Sequence, residues 1–155
     1  MPQIYHWRDT LLQASGTIRD IKGRSTQMND LIYESVSNIA TEIKQKKVSC
    51  LEVTEMHLKR IEAVNPVLNA VVQICSERAI AEAKAADKKI ANQEKIGPLH
   101  GVPMTLKDSL DTKEVISTGG TKGRVSFIPE NDATVTSRLR NAGAILLGKT
   151  NTPEF

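Results

Sequence analysis

An α/β fold is predicted from three observations. Stretches with apolar residues at helical spacing carry polar far faces. Between them lie short runs rich in valine, isoleucine and leucine, of strand length and bounded by turn residues. Their order along the chain is strand, helix, strand, loop, helix, strand, which is the alternation expected when helices cover a sheet.

Residues 1–27 are weakly periodic, carry Trp7 with Arg8, Arg19 and Arg24, and are expected to be a poorly ordered extension. From 28 to 155 the pattern is that of one folded region. A helix is expected to begin with Asn29 or Asp30 as cap and an apolar stripe at Ile32, Val36, Ile39 and Ile43. A second helix has a sharper start. In Ser49-Cys50-Leu51-Glu52 the serine hydroxyl and the glutamate carboxylate can each satisfy a free backbone N–H. Leu51, Leu58 and Ile61 share one face, and Asn65-Pro66 is expected to end the helix, because a residue before proline is pushed out of helical conformation. The run Asn69-Ala70-Val71-Val72-Gln73-Ile74-Cys75 predicts a strand. Ser76 is then expected to cap a helix with Ala79, Ala83, Ala86 and Ile90 inward. A strand is predicted around Val102-Pro103-Met104-Thr105-Leu106, followed by a turn-rich stretch over 117–123. Asp132 is expected to cap a last helix, with Val135, Leu139 and Ala142 inward and Gly143 as its stop. Ala144-Ile145-Leu146-Leu147 is a strand of the kind buried on both faces.

With 155 residues the chain can build one core but not two large ones. A net charge of +3 spread over helices with alternating signs gives no dense basic patch, and 3% aromatic residues offer few stacking surfaces, so nothing asks for nucleic acid. No apolar run reaches the length of a membrane span. The two cysteines, Cys50 and Cys75, are spaced for neither a zinc site nor a disulfide framework. They suit a reducing, cytoplasmic setting. His6, His57 and His100 are scattered without metal-ligand spacing, so no metal or cofactor is expected.

Residues Gly143-Ala144-Ile145-Leu146-Leu147-Gly148-Lys149-Thr150 satisfy the phosphate-loop expression G-x-x-x-x-G-K-[ST]. That motif works only with a strand before it, a loop through it and a helix after it. Here a helix precedes, the middle residues form a strand, and Thr152-Pro153 follows, so the setting is inverted. Gly119-Gly120 reads as a turn needing positive φ rather than an oxyanion loop. His100, after a Pro-Leu turn, is expected to make a loop hydrogen bond.

Lys107 is the candidate catalytic residue. It stands in Gly97-Pro98-Leu99-His100-Gly101-Val102-Pro103-Met104-Thr105-Leu106-Lys107-Asp108, where a short apolar strand should be entering the interior. A lysine taken out of water tends to lose its proton and become a base. The plainer alternatives are an ion pair to Asp108 or Asp111, or a snorkelling surface side chain.

These blocks resemble the amidase signature family. The matching segments are Gly97-Pro98-Leu99-His100-Gly101-Val102-Pro103 with Leu106-Lys107-Asp108, then Ser117-Thr118-Gly119-Gly120-Thr121, then Asp132-Ala133-Thr134-Val135. They continue with Ala142-Gly143-Ala144 and the run from Leu147-Gly148-Lys149-Thr150-Asn151 to Thr152-Pro153-Glu154-Phe155. The resemblance implies N-terminal helices followed by the first part of an α/β/α sandwich with a mixed sheet. It implies a Ser-Ser-Lys mechanism in which Lys107 takes a proton through a bridging serine while a second serine attacks an amide carbonyl. It places 117–123 and 125–127 near the acyl pocket.

No Gly-Gly-Ser-Ser-Gly run exists in the 155 residues, and Ser109, Ser117 and Ser126 are not at the family's serine positions. The chain is therefore expected to be a truncated, N-terminal portion that is inactive alone. Its substrate would be a small-molecule amide and its partner a C-terminal half or another amidase subunit. The alternative is a non-catalytic fragment that pairs with a chain carrying the missing serines. The residues do not distinguish a stand-alone amidase from a subunit of an amidotransferase. Exposed strand edges and apolar faces are also expected, with aggregation, partner binding or marginal stability as their consequence.

Overall fold

The computed structural model describes residues 28–154, so the expected extension at 1–27 lies outside the described residues. Residues 28–34 hold a 3₁₀ helix, Met28–Tyr33, in place of the helix start expected at Asn29 or Asp30. The regular helix begins later, because the Ser35 hydroxyl accepts the Asn38 N–H at 3.2 Å and caps the first turn of α1 (Val36–Lys44). Only Ile39 and Ile43 of the expected stripe are buried core residues, while Val36 is exposed.

Helix α2 (Cys50–Leu68) starts with the predicted capping box at Ser49 and Glu52. It does not stop at Asn65-Pro66. Proline removes one intrahelical donor near the end, and the chain runs on to Asn69, which takes a left-handed conformation at φ 48°. The Asn65 side chain compensates by tying the helix end to the next strand. Its amide donates to Val71 O at 2.9 Å and its oxygen accepts Val71 N–H at 2.8 Å. Strand β1 (Val71–Ile74) follows, then α3 (Ser76–Ala91). The expected Ser76 cap is not made. Cys75 holds the cap position, its N–H bonded to Leu147 O at 2.8 Å, and its thiol, a weak acceptor, makes no cap bond.

Strand β2 (Pro103–Lys107), helix α4 (Thr134–Asn141) and strand β3 (Ile145–Thr150) complete the fold, with a 3₁₀ turn at Lys122–Arg124. Asp132 does not cap α4. Its carboxylate is drawn instead to the Lys113 N–H at 2.7 Å and to Arg140 at 3.0 Å, leaving Ala133 at the cap. Gly143 follows the helix at φ 97°, as its stop position predicts. The sheet order is β1-β3-β2, with β1 antiparallel and β2 parallel to β3, which makes the sheet mixed.

Strand β3 is the centre. Ile145 and Leu147 enter a core with Ile39, Ile43, Val53, Ala79 and Ala83, so α1, α2 and α3 cover one face. Leu146 enters a second cluster with Leu106 and Val115, against which Leu139 of α4 packs. The layers are those of an α/β/α arrangement.

The α2 start is secured from across the first core. Asp87 on α3 accepts the Cys50 N–H at 2.7 Å and the Leu51 N–H at 3.1 Å, two donors a helix cannot satisfy internally. Burial, and then Asp87, push the enclosed Cys50 thiol up to about 12. Asp87→Ala is expected to cost about 1–2 kcal/mol in urea unfolding. It should also speed alkylation of Cys50. Unchanged stability together with unchanged thiol reactivity would contradict this account of the helix start.

Candidate active site

The second face of the sheet ends in a buried polar cluster, and an irregularity in the ladder aims a side chain into it. Met104 pairs with Leu146, but the next residue, Thr105, pairs with Gly148, so Leu147 has no partner on β2. An extra residue in one strand reverses the alternation beyond it. Lys149 therefore falls opposite Leu106, on the same face as Leu146, where an unbroken strand would have turned it to the helix-covered face. Glycine at 148 is required by close approach. A Cβ there would lie 2.2 Å from Gln73 O.

Lys149 is fully buried, at 0% exposure. Its Nζ donates to Leu110 O at 2.7 Å and to Ser117 Oγ at 2.8 Å, and lies 3.9 Å from Asp108 Oδ1. Asp108, 1% exposed, accepts both the N–H (3.0 Å) and the hydroxyl of Thr118 at Oδ2, while Oδ1 makes no hydrogen bond. Burial pushes the Lys149 ammonium below its ordinary value, opposed by the charges of Asp108 and then Asp111.

A buried lysine bonded to a serine has the outline of a nucleophile and its base. The surroundings argue against that use. Ser117 Oγ, also at 0% exposure, accepts the Thr112 N–H at 3.3 Å and lies 3.2 Å from Val115 O, to which its hydroxyl donates. It has no free path to a substrate carbonyl. Ser117 and Lys149 are structural partners.

Lys107 lies on the other face. Along β2 the exposure alternates, Thr105 and Lys107 outward, Leu106 and Asp108 inward. The burial expected of Lys107 falls on Lys149 instead. Among the described residues Lys107 makes no ion pair, since Asp108 is engaged with Lys149 and Thr118, and Asp111 with Arg124 at 3.0 Å. Lys107 pairs with Thr150 at the carboxyl ends of two parallel strands. In open α/β sheets ligands bind beyond such ends.

The loops after those strands meet there. The turn at Gly119 and Gly120 has φ of 62° and 77°, and a Cβ on Gly120 would meet Pro153 O at 2.7 Å, so the turn rests on the exit of β3. Ser117 N–H bonds Phe127 O at 3.0 Å, which lays 125–127 alongside, with Val125 and Phe127 exposed and Arg124 stacked 4.1 Å over the Phe127 ring. The rim thus comprises 105–107, 118–120 and 150–153. Serine and threonine spacing gave no sign of the buried cluster. The detectable sign was a lysine in an otherwise apolar strand run.

The phosphate-loop match is enclosed in structure, since Gly148, Lys149 and Thr150 are all within β3 and α4 precedes them. His100 Nε2 bonds Ala86 O at 3.1 Å, the loop contact expected of it, and His57 Nδ1 meets Val53 O at 2.8 Å. Among the described residues no group of three or more His, Cys, Asp or Glu side chains converges, and no helix is long and apolar enough to cross a membrane. A depression of about 480 Å³ beside α1, lined by Ser37, Thr41, Lys44 and Pro98, includes none of the rim.

The amidase family profile matches residues 52–155, and the chain belongs to the amidase family. It is 44% identical over 128 residues to the A subunit of glutamyl-tRNA(Gln) amidotransferase from Streptomyces coelicolor, covering 83% of this chain and 26% of that protein. The corresponding subunit of Bdellovibrio bacteriovorus is 41% identical over 126 residues, covering 81% and 26%. Among solved structures, the peptide amidase of Stenotrophomonas maltophilia superposes with a TM-score of 0.72 at 32% identity, over 77% of this chain and 25% of that one. Fatty acid amide hydrolase shares the fold at a TM-score of 0.78 and 24% identity, over 85% and 23%. The chain spans about a quarter of the length of the curated relatives it matches.

The lowered Lys149 value has a sign that can be checked. Between it and the ordinary 10.5, the unfolded chain holds a proton that the folded chain has released, so this lysine makes stability rise with pH across that window. Lys149→Met removes the slope. Urea unfolding at pH 8 and pH 10 should therefore show the wild type gaining on the variant at the higher pH. A pH-independent difference would contradict the assignment.

Proposed function

We propose that this chain supplies the lysine of an amide-hydrolysing serine enzyme, with Lys107 as the proton carrier. The reading is supported by one observation above the others. Lys107 is the outward-facing residue at the carboxyl end of β2, within the segment that the family profile covers. The names of the peptide amidase and fatty acid amide hydrolase point to the same bond class.

In this scheme an uncharged Lys107 amine accepts a proton relayed by a bridging serine. The nucleophilic serine attacks the amide carbonyl, the tetrahedral oxyanion is held by backbone N–H groups, and the acyl-enzyme passes to water or an amine. Both serines come from outside these residues. The proton-acceptor role also needs the Thr105 and Lys107 face to be covered, because a lysine becomes an effective base near neutral pH when removed from water. The substrate is a small-molecule amide, and the partner is a segment or subunit carrying the serines. Two free cysteines fit a reducing cytoplasmic setting.

A second reading keeps the partner without the chemistry. Val125, Phe127 and Ile128 are exposed apolar side chains in one short segment, and Val72 and Ile74 are exposed on β1, apolar area that a partner could cover.

The test mixes the full 155-residue chain with the part of the Streptomyces coelicolor relative that lies beyond the matched residues, and measures ammonia release from a primary amide. The chain alone should be inactive and the mixture active. Lys107→Met should lower kcat/KM by about 10³-fold or more, as loss of one member of a concerted unit does. Lys107→Arg should do the same, because a guanidinium does not release its proton. Turnover surviving in either variant would overturn the proton-carrier role, and activity of the chain alone would overturn the need for a partner.

A further inference from the structure

We propose that Asp108 and Lys149 are positioning residues, a buried acid–base clamp that fixes the backbone carrying Lys107 and couples it to the 118–120 turn. The proposal rests on the reading of Lys107 as proton carrier.

The bonds run in a closed circuit. Lys107 O accepts the Leu110 N–H at 2.9 Å, and Leu110 O accepts Lys149 Nζ at 2.7 Å. The ammonium thus holds the turn that begins at Lys107. Asp108 N–H donates to Thr150 O at 2.9 Å, which locks the end of β2 to β3. The same residue's carboxylate holds Thr118 by two bonds, and Thr118 Oγ1 in turn accepts the Gly120 N–H at 3.0 Å. Ser117 closes the circuit to Lys149. The Asp108 carboxylate thus holds the 118–120 turn directly, and the Lys149 ammonium holds Lys107 through Leu110.

A buried ion pair is a poor device for stability alone. Apolar side chains of similar volume often serve as well, because the desolvation of two charges offsets most of their attraction. What a bonded pair provides is direction. The 3.9 Å separation leaves Asp108 Oδ1 without a hydrogen bond, so the pair is not arranged for the strongest mutual contact. Its stronger bonds go outward to the loops. A side chain carrying a reacting proton loses about 10²-fold in rate on misplacement by an ångström, so rigidity at position 107 has a kinetic use.

Site-resolved amide hydrogen exchange on the full chain tests this. Lys149→Met and Asp108→Asn should speed exchange at Asp108, Leu110, Thr118 and Gly120 by about tenfold more than at Val53 or Ala79. Thr118→Val is the mild variant, and it should speed exchange at Leu110 as well as in its own turn. A uniform increase at all amides would overturn the proposal, as would a Thr118→Val effect confined to 118–120. In the mixed-chain assay Lys149→Met should lower kcat by about 10²-fold with KM within about twofold. Local loosening with unchanged kcat would overturn the positioning role while leaving Lys107 untouched. Activity surviving Lys107→Met would instead overturn the underlying reading.

Discussion

Lys149 is enclosed at the centre of the sheet, and the arrangement around it depends on the extra residue at Leu147. That residue decides which face receives the ammonium. Without it Lys149 would point into the aliphatic layer of Ile43, Val53 and Ala83, where it would find no acceptors and a penalty of several kcal/mol. With it the ammonium meets Leu110 O, Ser117 Oγ and the Asp108 carboxylate. Gly148 permits the crossing, because β1 passes too close for a side chain there.

That constraint sets Lys149 apart from Lys107. They lie at the carboxyl ends of adjacent parallel strands, with opposite orientations. Lys149 is bonded inward and shut off from solvent. Lys107, whose neighbours Leu106 and Asp108 are buried, projects from the other face beside Thr105. Packing beneath Lys107 is firm, and the surface above it is open.

Much of the fold was legible in the residues. The capping box at Ser49, the apolar strand after Gly143 and the mixed α/β order were carried by local chemistry, and local chemistry decided them. The misplaced boundaries share a cause. Asp132 has the right side chain for a helix cap, yet Lys113 and Arg140 claim it. Asn65-Pro66 has the right local preference for a stop, yet Asn65 bonds to Val71 and the helix continues. Competing partners beyond the helix end leave no mark in the cap or stop preference itself. The candidate site was legible in part for the same reason. Lys107 stood out through its motif, but the enclosure of Lys149 is set by the ladder shift, which no spacing rule reveals. Asp87 on α3, which secures the start of α2, was equally invisible.

The most direct test of this division is competitive acetylation of the native 155-residue chain by trace acetic anhydride, read residue by residue by mass spectrometry. Lys107 should be modified at the rate of a solvent-exposed amine, whereas Lys149 should stay unmodified until the chain is unfolded. Equal labelling of the two lysines in the native state would contradict the account.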